Sequence, residues 1–150
     1  AGRHACADKD GCPVPCLGLR CDRGGHGPVS ATAMAAEDGA SNTAALGDSW
    51  PIRIGLTTLE QLIDELRGCA LLLTNDTGTM HLATLLGIPV VAVFGSTAPT
   101  LTGPLGRRSV VVRHQVECSP CFLRDCPLDF RCMKAVTSAE VAGKIAAPRG

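Results

Sequence analysis

Apolar residues in the middle of the chain follow first a helical and then a strand-like pattern. Large aliphatic side chains recur at the spacing of one helix face at Leu59, Leu62, Ile63 and Leu66. Thr57 and Glu60 form a capping-box pattern in which Thr57 caps this helix, and Gly68 ends it. The continuous apolar run ALLLT, residues 70–74, then predicts a strand that is covered on both faces.

The same alternation of elements continues towards the end of the chain. GTMHLATLLG (78–87) predicts a second helix, and PVVAVFG (89–95) and SVVVR (109–113) predict two more strands. A last helix is expected after Thr137, with Glu140 three residues on. Helices and strands that alternate with short links predict an α/β fold, with a mostly parallel sheet and helices on its faces.

Residues 1–50 have a different composition, in which Gly, Ala, Asp, Cys and Ser dominate without a sustained period. We predict that this segment is disordered and does not pack on the α/β part, because it offers too little apolar surface to offset the entropy of ordering. A metal knuckle at Cys12 and Cys16 is the alternative, although no convincing second pair of ligands follows. The interpretable domain is therefore expected within residues 51–150.

Composition and charge narrow the class of protein. Lys plus Arg and Asp plus Glu both total 14, and aromatic residues make up only 3% of the chain, which argues against binding to nucleic acid. Hydrophobic residues make up 45% of the chain, without an apolar run of roughly 20 residues or an N-terminal signal sequence. We expect a soluble, cytoplasmic protein, and the start at Ala1 instead of Met suggests a piece of a longer one.

The turn between the strand at 70–74 and the helix at 78–87 carries the candidate chemistry. Ligands of open parallel sheets bind beyond the carboxyl ends of the strands. Gly78 is expected to let the backbone turn sharply and to let a ligand come close. Free N–H groups at the helix start favour a phosphate or diphosphate, to which Thr77, Thr79 and His81 can add hydrogen bonds.

Asp76 has two compatible interpretations, because a carboxylate repels a neighbouring phosphate. It caps the helix, or it accepts hydrogen bonds from the hydroxyl groups of a sugar attached to that phosphate. His81 is likewise either a core histidine or a phosphate contact, whereas Met80 and Leu82 are predicted to pack.

The chain has nine cysteines, of which Cys69 is expected in the core between helix and strand. Four lie late in the chain: Cys118 and Cys121 have C-x-x-C spacing, and Cys126 and Cys132 are two more thiols within reach. Four thiolates can hold a zinc ion, two pairs can form disulfides, and reduced thiols can simply build a cap. Nearby, Arg124 and Arg131 either face an anionic ligand or lie in a solvated loop, and we favour the loop.

Three stretches resemble the ADP-heptose:lipopolysaccharide heptosyltransferases of glycosyltransferase family 9. TNDTGTMHLATLLGIPVVAVFGSTAPTLTGPLG (74–106) matches their N-D-[S/T]-G-x-M-H-x-A turn and the G-x-P-V-V-A strand that follows. CSPCFLRDCPLDFRCM (118–133) resembles the cysteine-rich stretch of the heptosyltransferase II branch, and 55–76 resembles the helix and strand ahead of the turn. The similarity covers about residues 52–146, whereas 1–50 do not resemble the family.

The resemblance implies a fold and a set of site residues. Such enzymes have the GT-B fold of two Rossmann-like domains, so this chain is expected to be a truncated C-terminal, donor-binding half, with its Cys-rich loop at 118–132. Asp76 would contact the heptose hydroxyls, and Leu56 and Thr57 would lie near the nucleoside. The residues expected to line the diphosphate are Thr77, Gly78, Thr79 and His81. Because the resembling family is cytosolic and is not defined by a metal, we also expect the cysteines to be reduced.

The activity that the resemblance implies is inverting transfer of heptose from ADP-heptose to the inner core of lipopolysaccharide. No cofactor besides this donor substrate is expected. The acceptor domain and its catalytic base have no counterpart in the sequence, so we expect the chain alone to be inactive. A full-length parent would bind the lipopolysaccharide acceptor through that domain, and peripheral inner-membrane association stays open for it. The alternatives are a non-catalytic nucleotide- or phosphosugar-binding module and a Cys-rich metal-binding module.

Overall fold

A computed structural model of the chain describes residues 19–22, 25–29, 56–123 and 125–146. Its strands are β1 (Leu19–Asp22), β2 (Gly25–Val29), β3 (Leu72–Asn75), β4 (Val90–Val93) and β5 (Ser109–Val112). Its helices are α1 (Leu59–Arg67), α2 (Gly78–Leu85), α3 (Pro99–Thr102), α4 (Arg131–Lys134) and α5 (Ser138–Ala146).

The strands form one sheet in the order β2-β1-β3-β4-β5, in which β3, β4 and β5 are parallel. Leu72 lies opposite Val90, and Val90 lies opposite Ser109. The parallel sheet predicted from the three apolar runs is confirmed. Because parallel strands end at the same edge, the residues that follow β3 and β4 are brought together there.

Both faces of β3 and β4 are covered, as the continuous apolar runs predict. Successive side chains of β3 and β4 point to opposite faces, so alternate residues enter two separate clusters. One cluster joins the sheet to α1 and α2 and contains Leu66, Leu72, Met80, Ala83, Ile88, Val90, Ala92 and Phe94. The other joins the sheet to α5 and contains Leu71, Leu73, Val91, Val93, Val112 and Ile145. Met80 is fully buried, which confirms its predicted packing role.

Helix α1 begins one residue later than predicted. Its N-cap is Thr58, whose hydroxyl accepts from the N–H of Gln61 at 3.3 Å, while the Gln61 side chain accepts from the N–H of Thr58 at 2.9 Å. The sequence contains two overlapping capping-box patterns, and the extended backbone of Thr58 selects the second. Gly68 is the C-cap, as predicted.

The other predicted helix boundaries agree closely with the structure. Helix α2 is followed by Gly87, whose φ of 72° is a left-handed conformation that favours glycine. At the start of α5, the N–H of Glu140 donates to the hydroxyl of Thr137 at 3.2 Å. Among the described residues, no helix is both long enough and apolar enough to span a membrane.

The prediction that residues 1–50 do not pack on the α/β part does not hold for β1. This strand pairs antiparallel with β3, so that Leu19 lies opposite Leu73 and Arg20 opposite Leu72. A strand can join a sheet edge through main-chain hydrogen bonds alone, so it needs no period of apolar side chains that a sequence pattern would reveal. The proposed knuckle at Cys12 and Cys16 lies outside the described residues.

Candidate functional site

A cavity of about 250 Å³ lies at the edge of the sheet where β3 and β4 end. Asn75 and Asp76 line it from the end of β3, and Gly95 and Ser96 line it from the loop that follows β4. The opposite wall is the cysteine-rich segment, residues 118–133, which contributes Cys118, Cys121, Cys126 and Cys132. The structure therefore joins the Asp76 turn and the late cysteines, which lie far apart in the sequence, into one site.

The Asp76 carboxylate is held from a helix far along the chain. Its Oδ2 atom accepts a hydrogen bond of 2.7 Å from the hydroxyl of Thr102, the last residue of α3. Among the described residues, no donor is bonded to the second oxygen, Oδ1. Asp76 is half-buried and makes no contact that caps α2, so the capping interpretation is wrong. The carboxylate is available to a ligand through the oxygen that Thr102 leaves free.

The start of α2 has no side-chain cap. Thr77 is the N-cap residue by its extended backbone, but its hydroxyl lies 3.1 Å from the hydroxyl of Thr74 and bonds no N–H group of the helix. The first turn of α2 carries no acidic residue. Within the described part of the chain, the N–H groups of Gly78 and Thr79 therefore meet no protein acceptor. Such free groups at the positive end of a helix dipole are suited to bind an anion.

Gly78 is exposed and lies beside open space. A Cβ atom placed there would meet nothing within 4 Å, and its φ is outside the left-handed region. The sharp turn expected at Gly78 is therefore not observed, because the residue already has the helical backbone of α2. What remains of the expectation is room for a ligand at the helix start.

Asp76 is the predicted site residue that lines the cavity. Thr77, Gly78 and Thr79 follow it directly at the start of α2, and His81 lies about one turn further on, half-buried. Two more predicted residues, Leu56 and Thr57, precede α1 and do not line the cavity. The structure thus places the uncapped start of α2 beside the cavity, whereas Leu56 and Thr57, the expected nucleoside contacts, do not line it.

Sequence reasoning misses two polar residues of this site. Asn75 ends β3, and its Oδ1 atom is buried without a hydrogen-bond partner among the described residues. Thr102 lies 26 residues after the carboxylate it contacts. Asn75 lies next to Asp76 in the turn and could have been included from the sequence. The contact of Thr102 could not, because only the parallel pairing of β3 and β4 brings α3 to the turn.

The cysteines of the wall are free thiols. Cys118, Cys121 and Cys126 are half-buried and Cys132 is buried, and none of these forms a disulfide. Burial raises the pKa of the Cys118 thiol, which favours its protonated form at neutral pH. In the ranges that the structure describes, no three His, Cys, Asp or Glu residues are placed to hold a metal ion. Cys69 is half-buried against the α1–α2 cluster, between helix and strand as expected.

Polar contacts attach the cysteine-rich segment to the end of β4. The hydroxyl of Ser119 donates to the carbonyl of Gly95 at 2.6 Å. The N–H groups of Cys121 and Phe122 donate to the carbonyl of Ser96 at 3.0 and 2.9 Å. A Cβ atom at Gly95 would lie 2.4 Å from the sulfur of Met133, so the glycine permits the close approach of α4. The two walls of the cavity are thus fixed to each other by the loop after β4.

Arg131 is engaged within the cysteine-rich segment. Its guanidinium group lies 2.9 Å from the carboxylate of Asp129 and also contacts Glu117. Hydrogen bonds from Arg131 hold the pKa of Asp129 below its usual range, and the carboxylates in turn raise the pKa of Arg131. The favoured loop interpretation does not hold for Arg131, which begins α4, is half-buried and lines the cavity, whereas Arg124 lies outside the described residues.

Comparison with known proteins gives consistent family matches. The model of glycosyltransferase family 9 (heptosyltransferase) matches residues 34–130. Lipooligosaccharide heptosyltransferase 2 of Campylobacter jejuni is 36% identical over 91 residues, which are 59% of this chain and 29% of that protein. Lipopolysaccharide heptosyltransferase 2 of Salmonella typhimurium is 41% identical over 59 residues, which are 39% of this chain and 17% of that protein.

Solved structures agree with this assignment. The structure of E. coli ADP-heptose lps heptosyltransferase II superposes with a TM-score of 0.64 at 26% identity, covering 77% of this chain and 34% of that one. A glycosyl transferase of family 9 from Veillonella parvula gives a TM-score of 0.62 at 20% identity, over 77% of this chain and 34% of that one, and so shares the fold. The predicted α/β fold, similar to part of a GT-B heptosyltransferase, is confirmed.

The matched residues correct one expectation, and the coverage shows how much of its relatives' length this chain spans. The family match begins at residue 34, so the prediction that residues 1–50 do not resemble the family fails for 34–50. The chain spans about a third or less of the length of these relatives and solved structures. Since the family model covers more than half of the chain, and curated relatives and a solved heptosyltransferase agree with it, this chain belongs to glycosyltransferase family 9, the heptosyltransferases.

Proposed function

We propose that this chain is the donor-binding part of a heptosyltransferase that transfers heptose from ADP-heptose to the inner core of lipopolysaccharide. The observation that carries the proposal is the uncapped start of α2 beside a carboxylate with one free oxygen. The helix start suits an anion, and the free carboxylate oxygen suits sugar hydroxyl groups. A nucleotide sugar contains a diphosphate and a sugar in one molecule.

The diphosphate is proposed to bind at the start of α2. The N–H groups of Gly78 and Thr79 meet no protein acceptor in the described part of the chain, and the open space beside Gly78 admits a phosphate. The hydroxyls of Thr77 and Thr79 and the ring of His81 supply further hydrogen bonds, and this positive helix end compensates the charge that develops on the departing ADP.

The heptose is proposed to lie against Asp76. Its Oδ1 atom is a charged acceptor for sugar hydroxyl groups, and such hydrogen bonds are stronger than those between neutral groups. The nucleoside is proposed to extend towards Leu56, an exposed apolar residue, and Thr57. No cofactor takes part in this scheme.

Transfer itself is proposed to need more than this chain. A general base removes the proton of the acceptor hydroxyl, whose oxygen attacks the anomeric carbon of heptose while the bond to the diphosphate breaks and ADP leaves. The features described here serve the leaving-group half of that step. We expect the full-length protein to act at the cytoplasmic face of the inner membrane, where the acceptor would bind its other domain.

The binding proposal is tested by calorimetric titration of ADP and ADP-heptose into the wild-type chain and two variants. Asp76→Asn keeps an oxygen that accepts from Thr102 but loses the charge offered to the sugar. It should weaken ADP-heptose by about tenfold to a hundredfold and leave ADP nearly unchanged. Equal weakening of both ligands would contradict the sugar contact.

Gly78→Val is the matched test of the diphosphate. A Cβ atom at this position meets nothing within 4 Å, so the variant should fold while its side chain occupies the space proposed for phosphate. ADP and ADP-heptose should therefore weaken to the same extent. Unchanged affinity for both ligands would place the diphosphate elsewhere.

Catalysis is tested separately, by release of ADP from ADP-heptose in the presence of a heptose-acceptor lipid. The chain alone should show no turnover above background. Turnover within tenfold of a full-length relative would show that these 150 residues are sufficient.

A further inference from the structure

One hydrogen bond connects the candidate site to a helix that the family motif gives no role. The hydroxyl of Thr102 donates to Asp76 Oδ2 at 2.7 Å, a short distance that is characteristic of a hydroxyl bonded to a carboxylate. Both residues are half-buried, so water competes less for this contact than at an open surface. Among the described residues, no other hydrogen bond holds the Asp76 side chain.

Thr102 is itself held in a defined position. It ends the short helix α3, where its N–H donates to the carbonyl of Ala98 at 3.1 Å. The next residue, Gly103, donates to the carbonyl of Pro99 at 2.9 Å, and a Cβ atom there would lie 2.3 Å from that oxygen. A threonine has restricted side-chain rotation because it is branched at Cβ. The hydroxyl is therefore presented to Asp76 from a fixed backbone.

Asp76 has no comparable support of its own. Helix α2 takes Thr77 as its N-cap, so the carboxylate is not tied to the helix that follows it. Without Thr102, rotation about the Cβ–Cγ bond would exchange the two oxygens and spread the charge over several directions. With Thr102, Oδ2 is occupied and Oδ1 is left as the acceptor for a ligand.

We infer that Thr102 is a positioning residue, which orients the Asp76 carboxylate so that a single oxygen receives the sugar of the bound donor. This inference rests on the proposed function, because that function supplies the sugar. Thr102 does not touch the ligand in this scheme. Its contribution is to fix the acceptor before binding, so that less rotational freedom is lost when the donor arrives.

Two substitutions separate the hydroxyl from the shape of the side chain. Thr102→Val keeps the branched shape and loses the hydroxyl, whereas Thr102→Ser keeps the hydroxyl. We expect Thr102→Val to weaken ADP-heptose by roughly threefold to tenfold, the effect of one hydrogen bond, and to change ADP by less than about twofold. Thr102→Ser should bind both ligands within about twofold of wild type. Leu101→Ala, an exposed neighbour on α3, is the control and should bind as wild type does.

A double-mutant cycle with Asp76→Ala decides whether Thr102 acts through Asp76. In the Asp76→Ala background, Thr102→Val should cause no further loss of ADP-heptose affinity, because the group it positions is absent. A further loss of the full size in that background would overturn the inference. Equal weakening of ADP and ADP-heptose by Thr102→Val, together with a lower urea midpoint, would show a purely structural role and also overturn it.

The same titrations distinguish failure of the inference from failure of the proposed function. If Asp76→Asn weakens ADP-heptose selectively while Thr102→Val binds as wild type does, Asp76 contacts the sugar without help from Thr102. The inference is then wrong and the proposed function stands. If the wild-type chain binds neither ADP nor ADP-heptose at millimolar concentration, both are overturned.

Discussion

The two walls of the cavity are built in opposite ways. One wall, called the α/β wall, is formed at the ends of β3 and β4. Large apolar side chains behind it are buried, and Phe94, Val90 and Val91 are fully inaccessible. In the cysteine-rich segment, large apolar side chains remain about half exposed, among them Phe122, Leu123, Leu128 and Phe130. The first wall is stabilised by apolar burial, whereas the second is attached to it through hydrogen bonds to Gly95 and Ser96 and through the partly buried Met133.

The sheet that presents Asp76 and the cysteine-rich segment opposite it are therefore stabilised by different interactions. Burial of apolar surface is the dominant stabilising term in folding, so the sheet that presents Asp76 depends on its core. Polar contacts contribute less, so the cysteine-rich segment can shift or detach at a smaller cost in free energy. Substitutions in the two walls should therefore have different consequences, and these can be ordered by size.

The largest expected change in stability is tested by replacing one phenylalanine with alanine in each wall. Phe94→Ala removes a fully buried ring and should lower the free energy of unfolding by about 3–5 kcal/mol. Phe130→Ala, in the other wall, removes a ring that is 51% exposed and should cost less than about 1 kcal/mol. Urea unfolding followed by circular dichroism measures both, and similar losses for the two variants would remove the distinction between the walls.

An intermediate effect is expected at the attachment between the walls. The buried hydroxyl of Ser119 donates to the carbonyl of Gly95 and accepts from Arg113 at 3.1 Å. Ser119→Ala leaves both partners unsatisfied and should cost about 1–3 kcal/mol. It should also make the neighbouring thiols, Cys118 and Cys121, react faster with a thiol reagent, because the segment detaches more often.

The control for this prediction is Ser138→Ala, at an exposed position that begins α5. Its stability should lie within about 0.5 kcal/mol of wild type, with unchanged thiol reactivity. If Ser119→Ala behaves like Ser138→Ala in both measurements, the hydrogen bond to Gly95 does not hold the segment in place.

The smallest effect concerns the pH dependence of the ion pairs. A main-chain hydrogen bond and then Arg131 lower the pKa of Glu117, and a hydrogen bond from Arg131 lowers the pKa of Asp129. A carboxylate whose pKa is lower in the folded state stabilises it above the ordinary pKa, about 4, and loses this contribution as the pH falls through the lowered value. Stability should therefore decline in acid, in part through these two groups.

Arg131→Gln removes the cation that Glu117 and Asp129 share. Its urea midpoint should lie slightly below that of wild type at pH 7, and the difference should shrink towards pH 3, where the carboxylates become protonated. Arg107→Gln removes an exposed charge outside this network and controls for the change in net charge. A difference for Arg131→Gln that stays constant from pH 7 to pH 3 would contradict the role of these ion pairs.

Local patterns were sufficient to predict most elements of the α/β part. The apolar runs of β3 and β4 are buried on both faces, as their composition predicts, and Gly68 and Thr137 mark helix ends correctly. The sequence did not show which of two overlapping capping boxes is used, because the choice between Thr57 and Thr58 depends on the backbone at the entry to α1. The strand β1 spans only four residues, Leu19–Asp22, which is too short to give a sustained period, and its described pairing with β3 runs through the main chain.

The family, the parallel α/β order and the position of the Asp76 turn follow from the amino-acid sequence, because they depend on residues close together in the chain. The contacts of Asp76 are visible only in the folded structure. The parallel pairing of β3 and β4 brings α3 beside the carboxylate, where Thr102 takes one oxygen, and the hydrogen bonds of Ser119 and Ser96 bring the cysteines to the opposite wall. Contacts between residues more than 20 positions apart are set by the packing of whole elements, and no local pattern encodes them.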